Sequence, residues 1–194
     1  IAQIAAMGEP AVEVVVNDLL RHPQGFVRAI GLEAIAGIGG LAVPAVIALS
    51  RSDEVRDRRV AARALGAIGA AGTALDRLRE LARSPDWQVR SEVAQALRSG
   101  GDAARDLLLA MLADDDAFVR RKAAESLAVY RDRAAADALI AFLERCKRES
   151  DWDGELAAQK ALQQMSGSRS PRTAAAWRRF AAGLPRFTER HTDG

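Results

Sequence analysis

The feature that most constrains this chain is a repeat of about thirty residues. The segment Val27-Arg28-Ala29-Ile30-Gly31-Leu32-Glu33-Ala34-Ile35-Ala36-Gly37-Ile38-Gly39 returns as Arg58 to Gly69, ending Ala64-Leu65-Gly66-Ala67-Ile68-Gly69. It returns again as Val89-Arg90 with Val93, Ala94, Ala96 and Leu97, and as Val119-Arg120 with Ala123, Ala124 and Leu127. A weaker copy runs from Leu156 to Leu162, and Ile4 to Gly8 reads as the tail of one more. The anchors Ile4, Ile35, Leu65, Leu97, Leu127 and Leu162 are spaced 31, 30, 32, 30 and 35 residues apart. Such a period marks units that cannot bury their apolar faces alone and must stack on their neighbours. The longer last gap predicts an extended loop around Cys146 to Asp153.

Each copy is helical by pattern. Val119, Ala123, Leu127 and Tyr130 share one face, with Arg121, Lys122 and Glu125 on the other. A second apolar helix precedes each copy: Ala11 to Leu20, Leu41 to Leu49, Ala74 to Ala82, Ala103 to Leu112 and Ala134 to Leu143. Gly39-Gly40, Gly69, Gly100-Gly101 and Gly167 fall where helices end and a left-handed residue is wanted. Asp86 and Asp116 stand at N-cap positions. The result is an all-α chain of about five helical hairpins. The array covers residues 1–166, with a truncated first helix at 1–8 and repeats near 9–39, 40–69, 70–100, 101–130 and 131–166. Residues 167–194 form a capping helix and a basic tail, in which Trp177 and Phe180 would cover the last repeat.

Composition agrees. Aromatics are 5% against 49% apolar residues, so the core must be Leu, Ile, Val and Ala, residues among which Ala and Leu favour helix. Net charge is +2 from 28 basic and 26 acidic residues, with no polybasic block of the kind that grips a phosphate backbone. The arginine-rich usage is read as a GC-rich, bacterial coding bias. A single cysteine excludes an internal disulfide framework. With no visible signal peptide and no apolar run near the ~18 residues of a membrane span, a cytoplasmic protein is expected. The chain opens at Ile1 inside an apolar pattern, which leaves an upstream targeting segment open.

The stretches Asp86-Trp87-Gln88-Val89-Arg90-Ser91-Glu92-Val93-Ala94-Gln95-Ala96-Leu97 and Asp116 to Leu127 resemble the second helix of a HEAT-type repeat, in the short form labelled the phycobilisome-lyase HEAT-like repeat. The resemblance covers about residues 1–166. It implies a right-handed α-α superhelix, a solenoid whose second helices line the concave surface. It also implies a ladder between repeats. The matching arginines are Arg28, Arg58, Arg90 and Arg120, and the position four residues earlier holds Gln24, Glu54, Asp86 and Asp116. Gln24 departs from the acidic pattern and Glu155 stands where a fifth arginine would be, so the ladder should weaken at both ends. Met165-Ser166-Gly167 through Phe180 resembles a closing helix of some bacterial arrays.

Little catalytic chemistry is legible. His22 sits in a turn and His191 in the tail, which leaves no zinc spacing and no positioned catalytic histidine. Cationic neighbours Arg145, Lys147 and Arg148 would act to lower the pKa of Cys146; the plainer reading is an ordinary thiol at a helix end. Asp114-Asp115-Asp116 reads as an N-cap with two solvated acids rather than a calcium loop. No catalytic residue, metal or cofactor is expected. Trp87 and Trp152 share a repeat position, read mainly as packing between repeats and secondarily as a binding aromatic.

The solvent-facing positions of the second helices follow from the helical pattern. They are Ala29 and Glu33, Arg59 and Arg63, Ser91 and Gln95, Arg121 and Glu125, then Leu156 and Lys160. Either this is a solvated face, or it is a mixed-charge groove with a basic centre at Arg59, Arg63 and Arg121 that takes an acidic segment of another protein. The expected function is a non-enzymatic protein–protein interaction scaffold. Two alternatives stand beside it. One is a nucleic-acid-binding protein of the DNA-glycosylase type, disfavoured because these positions hold no aromatic residue. The other is a bilin lyase, implied by the family label alone.

Overall fold

The computed structural model describes residues 9–167 and 173–185. Among them there is no strand. The helices are α1 (Glu9–Val14), passing directly into a π-turn (Val15–Leu20), α2 (Gly25–Ile38), α3 (Val43–Leu49), α4 (Val55–Ile68), α5 (Gly72–Leu81), α6 (Trp87–Ala96), α7 (Gly101–Met111), α8 (Ala117–Leu127), α9 (Arg133–Glu149), α10 (Trp152–Ser166) and α11 (Ala174–Ala182). They form consecutive hairpins, α1–α2 through α9–α10, followed by α11, in a helical repeat solenoid. The truncated helix at 1–8, anchor Ile4, Arg169, Phe187 and His191 lie outside the described residues.

The chain divides into two compact units, Ile1–Ala104 and Arg105–Gly194, the division falling within α7. In the first unit the second helices pack side by side, α2 on α4 and α4 on α6, and the first helices α3 and α5 also meet. In the second unit α8 packs on α10, α10 on α9, and α11 on α9. The anchors Ile35, Leu65, Leu97, Leu127 and Leu162 are all fully buried. The period therefore marks the residue each hairpin puts deepest into the core. Burial of a Leu or Ile of this kind is worth about 1.5–3 kcal/mol.

Small residues set the spacing. A Cβ on Gly66 would lie 2.6 Å from both Cα and Cβ of Ala96, so α4 and α6 touch backbone to backbone there. The closing helix buries Trp177, which stands edge-on to Phe180 with ring centroids 6.3 Å apart. Thr173 caps it through Ala176 N.

Several expectations are corrected. The gap of 35 residues holds no extended loop: α9 runs 17 residues to Glu149, and only Ser150, in the left-handed region at φ 57°, and Asp151 separate it from α10. The extra residues lengthen a helix because Phe142, Leu143 and Cys146 continue its buried stripe. An 18-residue stretch within Gly25–Leu49 does reach a mean hydropathy of 2.0, enough by length and composition for a span. However, Gly39, at φ 69°, redirects the chain between α2 and α3, which are 14 and 7 residues long. At the third hairpin's end Gly101 takes the left-handed conformation, and Gly100 does not. Asp86 occupies the N-cap of α6 without capping it, because its carboxylate is drawn to Arg58 instead. Asp116 does cap α8, accepting from Phe118 N and Val119 N.

Candidate partner-binding faces

The four ladder arginines share one task. Each donates through Nη1 to two carbonyls of the turn inside its own hairpin: Arg28 to His22 and Pro23 at 2.7 Å each, and Arg58 to Ser52 and Asp53 at 2.8 Å each. Arg90 reaches Ser84 and Pro85 at 2.9 and 3.2 Å, and Arg120 reaches Asp114 and Asp115 at 2.9 Å each. The turn follows a first helix whose last carbonyls lack intrahelical partners, and the guanidinium supplies a charged donor there. Arg58 and Arg120 also cross to the next hairpin. Arg58 Nη2 lies 2.6 Å from Asp86, and Arg120 Nη2 lies 3.7 Å from Asp151. Arg28 has no ion pair among the described residues. The ladder thus runs into the last hairpin through Asp151, four residues before Glu155, an acid the sequence reading passed over. Asp151 also caps α10 through Gly154 N.

In the first unit, Arg59 and Arg63 stand one turn apart on α4, side chains 41% and 47% exposed. Both turn to Glu92 on α6. Arg63 makes two bonds, Nε to Oε2 at 2.5 Å and Nη2 to Oε1 at 2.6 Å, and Arg59 Nη2 adds one at 3.0 Å. The Glu92 side chain is 5% exposed. Bonding to this carboxylate holds the Arg63 pKa above its ordinary value, outweighing burial. Half of the charge of the expected basic centre at Arg59 and Arg63 is therefore offset from within. The sequence signal was present, an acid 29 and 33 residues after an Arg pair at i, i+4, but Glu92 was assigned no role. Glu33 and Gln95 are exposed as expected, whereas Ser91 is buried and bonded to Gln88 O at 2.8 Å. Leu32, Arg63, Gln95 and Ser99 border an open cleft of about 370 Å³ floored by Gly66, Ala67 and Ala96.

In the second unit, Arg121 and Glu125 on α8 face Lys160 on α10 across a cleft of about 200 Å³ that Phe118, Lys122, Asp153 and Leu156 also line. Arg121 pairs with Asp153 at 2.7 Å and Lys122 with Glu125 at 2.8 Å. Lys160 has no ion pair among the described residues. Both Arg121 and Lys122 lie over the Phe118 ring, at 5.1 and 5.5 Å from its centroid. An aromatic residue therefore does line this face, contrary to the sequence reading. Trp152 does not pack between repeats: it is 80% exposed, and Trp87 is 41% exposed.

Elsewhere the charged groups hold structure. Arg105 and Asp132 form a buried pair at 3.0 Å, with Asp132 capping α9. Asp57 is buried with Arg21 at 2.9 Å. Cys146 is buried, and its thiol is pushed up to about 11 by burial and by the Asp151 carboxylate, against the opposing pull of Arg145 and Arg120. The lowering that its cationic neighbours alone would bring is thereby reversed. His22 accepts from Gln24 N in its turn. Among the described residues no group of three His, Cys, Asp or Glu is placed to hold a metal.

Known proteins agree with this architecture. No curated protein matches the chain in sequence. Two engineered proteins of known crystal structure resemble it at TM-scores of 0.51 and 0.50 with 23% and 24% identity. The first match covers 93% of this chain and 90% of that one, the second 86% and 87%. At that identity the likeness shows the fold alone. The complex of CpcE and CpcF of phycocyanin lyase from Nostoc sp. PCC7120 matches at TM-score 0.47 and 20% identity, over 95% of this chain and 72% of that one. Residues 42–128 and 75–163 each match the sequence pattern described as HEAT repeats, so that together residues 42–163 are covered. The chain belongs to the HEAT-repeat family.

Proposed function

We propose that this chain is a non-enzymatic scaffold that binds another protein on the outward faces of its second helices. The contact positions are Glu33, Arg59, Arg63 and Gln95 in the first unit, and Arg121, Glu125 and Lys160 in the second. The observation that carries the reading is the placement of these side chains one repeat apart on helices whose opposite faces are locked into the core. Within each unit, a row on packed helices presents groups without the ordering cost a loop would incur.

A protein partner is favoured over nucleic acid by the internal pairing. Arg59 and Arg63 face Glu92, Arg121 faces Asp153, and Lys122 faces Glu125. Phosphate-backbone binding needs cations free to replace counterions. The test is capture from an extract of the native cell, with mass spectrometry, on the wild-type chain and on the double variant Glu33→Arg/Gln95→Arg. Both positions are exposed, so helicity should be unchanged. The reading expects a protein enriched by the wild type and depleted by the variant. Equal recovery of every protein by both would overturn it.

A further inference from the structure

We infer that the cleft between α8 and α10 is the anchor point of the scaffold, and that it takes a short linear segment of a partner protein bearing an aromatic or leucine side chain next to a carboxylate. The inference rests on the scaffold reading above and names the partner class at one site. Trp152, Leu156 and Lys160 follow one another at i, i+4 and i+8 along α10, and so share one face. Trp152 is 80% and Leu156 49% exposed, and Phe118 on the facing helix is 37% exposed. An exposed Leu alone is ordinary. Phe118 and Leu156 line the cleft, and Trp152, one turn before Leu156 on the same face, extends that apolar surface beyond its rim, the pattern of an interaction site, where Trp is among the side chains that dominate binding.

The cleft holds about 200 Å³, below the range of roughly 300–1,000 Å³ usual for cofactors and small ligands. It suits one large side chain. The charges then select the flank. Arg121 with Asp153 and Lys122 with Glu125 are neutral pairs. Lys160, exposed at the far end of the α10 stripe, has no ion pair among the described residues. An apolar anchor between Phe118 and Leu156, stacked against Trp152, would place an adjacent Asp or Glu within reach of Lys160. Because the pairs on either side are already satisfied, a highly basic segment would meet an excess of positive charge and a highly acidic one would have to displace Asp153 and Glu125.

The test is selection of random twelve-residue peptides displayed on phage against the full chain. Enriched peptides are then made with a fluorescein label and their binding read by polarisation. Enriched sequences should carry Phe, Trp or Leu within about four residues of Asp or Glu, the reach of one helical turn or two strand residues. Trp152→Ala should weaken binding by about 30-fold or more, as a central aromatic anchor does. Lys160→Glu should weaken it several-fold, and replacing the acid of the peptide by Lys should restore binding to that variant alone. Circular dichroism confirms that each variant stays helical, as expected of exposed positions. Peptides that ignore Trp152→Ala and Lys160→Glu but are lost on Glu33→Arg/Gln95→Arg would overturn this inference and leave the scaffold reading standing. No enrichment, uniformly basic peptides, or tighter binding of a twelve-residue oligothymidylate at Trp152 would each overturn it as well.

Discussion

Glu92 offers the most informative perturbation, because its clamp is asymmetric. The carboxylate is 5% exposed, while the two arginines that hold it are 41% and 47% exposed. Removing both arginines strands a buried charge, which costs roughly 3–5 kcal/mol where all members are buried. Half-exposed partners are partly screened, so the lower end, about 3 kcal/mol, is expected for Arg59→Ala/Arg63→Ala. Glu92→Met does the opposite. It removes the buried charge, fills the site with apolar volume, and lets both guanidiniums turn to water. That variant should stay within about 1 kcal/mol of the wild type. For a chain of this length each kcal/mol moves the midpoint by roughly 2–4 °C, so the arginine variant should melt about 6–12 °C lower and the Met variant within about 4 °C. Thermal and urea unfolding followed at 222 nm measure both. If Glu92→Met is as damaging as the double arginine variant, the carboxylate and not its isolation is what stabilises, and the reasoning fails.

Further outcomes follow from the same contacts. Arg58→Ala should destabilise more than Arg28→Ala, by about 1 kcal/mol in urea titrations, because Arg58 adds the Asp86 bond to a turn contact that both share. Gly66→Ala should destabilise by up to about 2 kcal/mol, overpacking against Ala96 costing about 1–3 kcal/mol and helix propensity returning about 1 kcal/mol; a stabilised variant would refute the close approach of α4 and α6. Burial and the Asp151 carboxylate push the Cys146 thiol from its ordinary 9.0 up to about 11 when folded. Its contribution to stability is therefore full below pH 9 and falls as pH rises from 9 toward 11. Iodoacetamide at pH 8 should meet about 100-fold less thiolate than in the urea-unfolded chain, and equal alkylation rates would contradict the burial.

How much of this was legible depends on which physical signal each feature carries. The hairpins and the deep anchors were readable because a helix advertises its buried stripe at a fixed period, and Ile35, Leu65, Leu97, Leu127 and Leu162 repeat it. The turn-binding role of Arg28, Arg58, Arg90 and Arg120 was only half readable: the sequence located the arginines, but their main partners are carbonyl oxygens, which carry no residue identity. Glu92 was missed because a lone acid in a helix looks solvated until the neighbouring helix places two guanidiniums over it. Asp86 looked like a cap because the residue type fits a cap, yet a charged partner one repeat away won the competition. The lengthened α9 was mistaken for a loop because a longer gap counts residues without giving their conformation, whereas the buried stripe through Phe142 and Cys146 shows the helix continuing. Trp152 was assigned to packing by analogy with Trp87, and nothing local says which way a ring at a helix start will point.

The central claim is that the outward rows of the second helices are the contact surface and that the turns and first helices serve only to hold them. Hydrogen exchange on the full chain, free and saturated with the tightest protein recovered from the native extract, addresses it directly. The account predicts added protection on α8 and α10, with any further protection on α2, α4 or α6. Protection confined to α3, α5 and α9, with α8 and α10 unchanged, would contradict it.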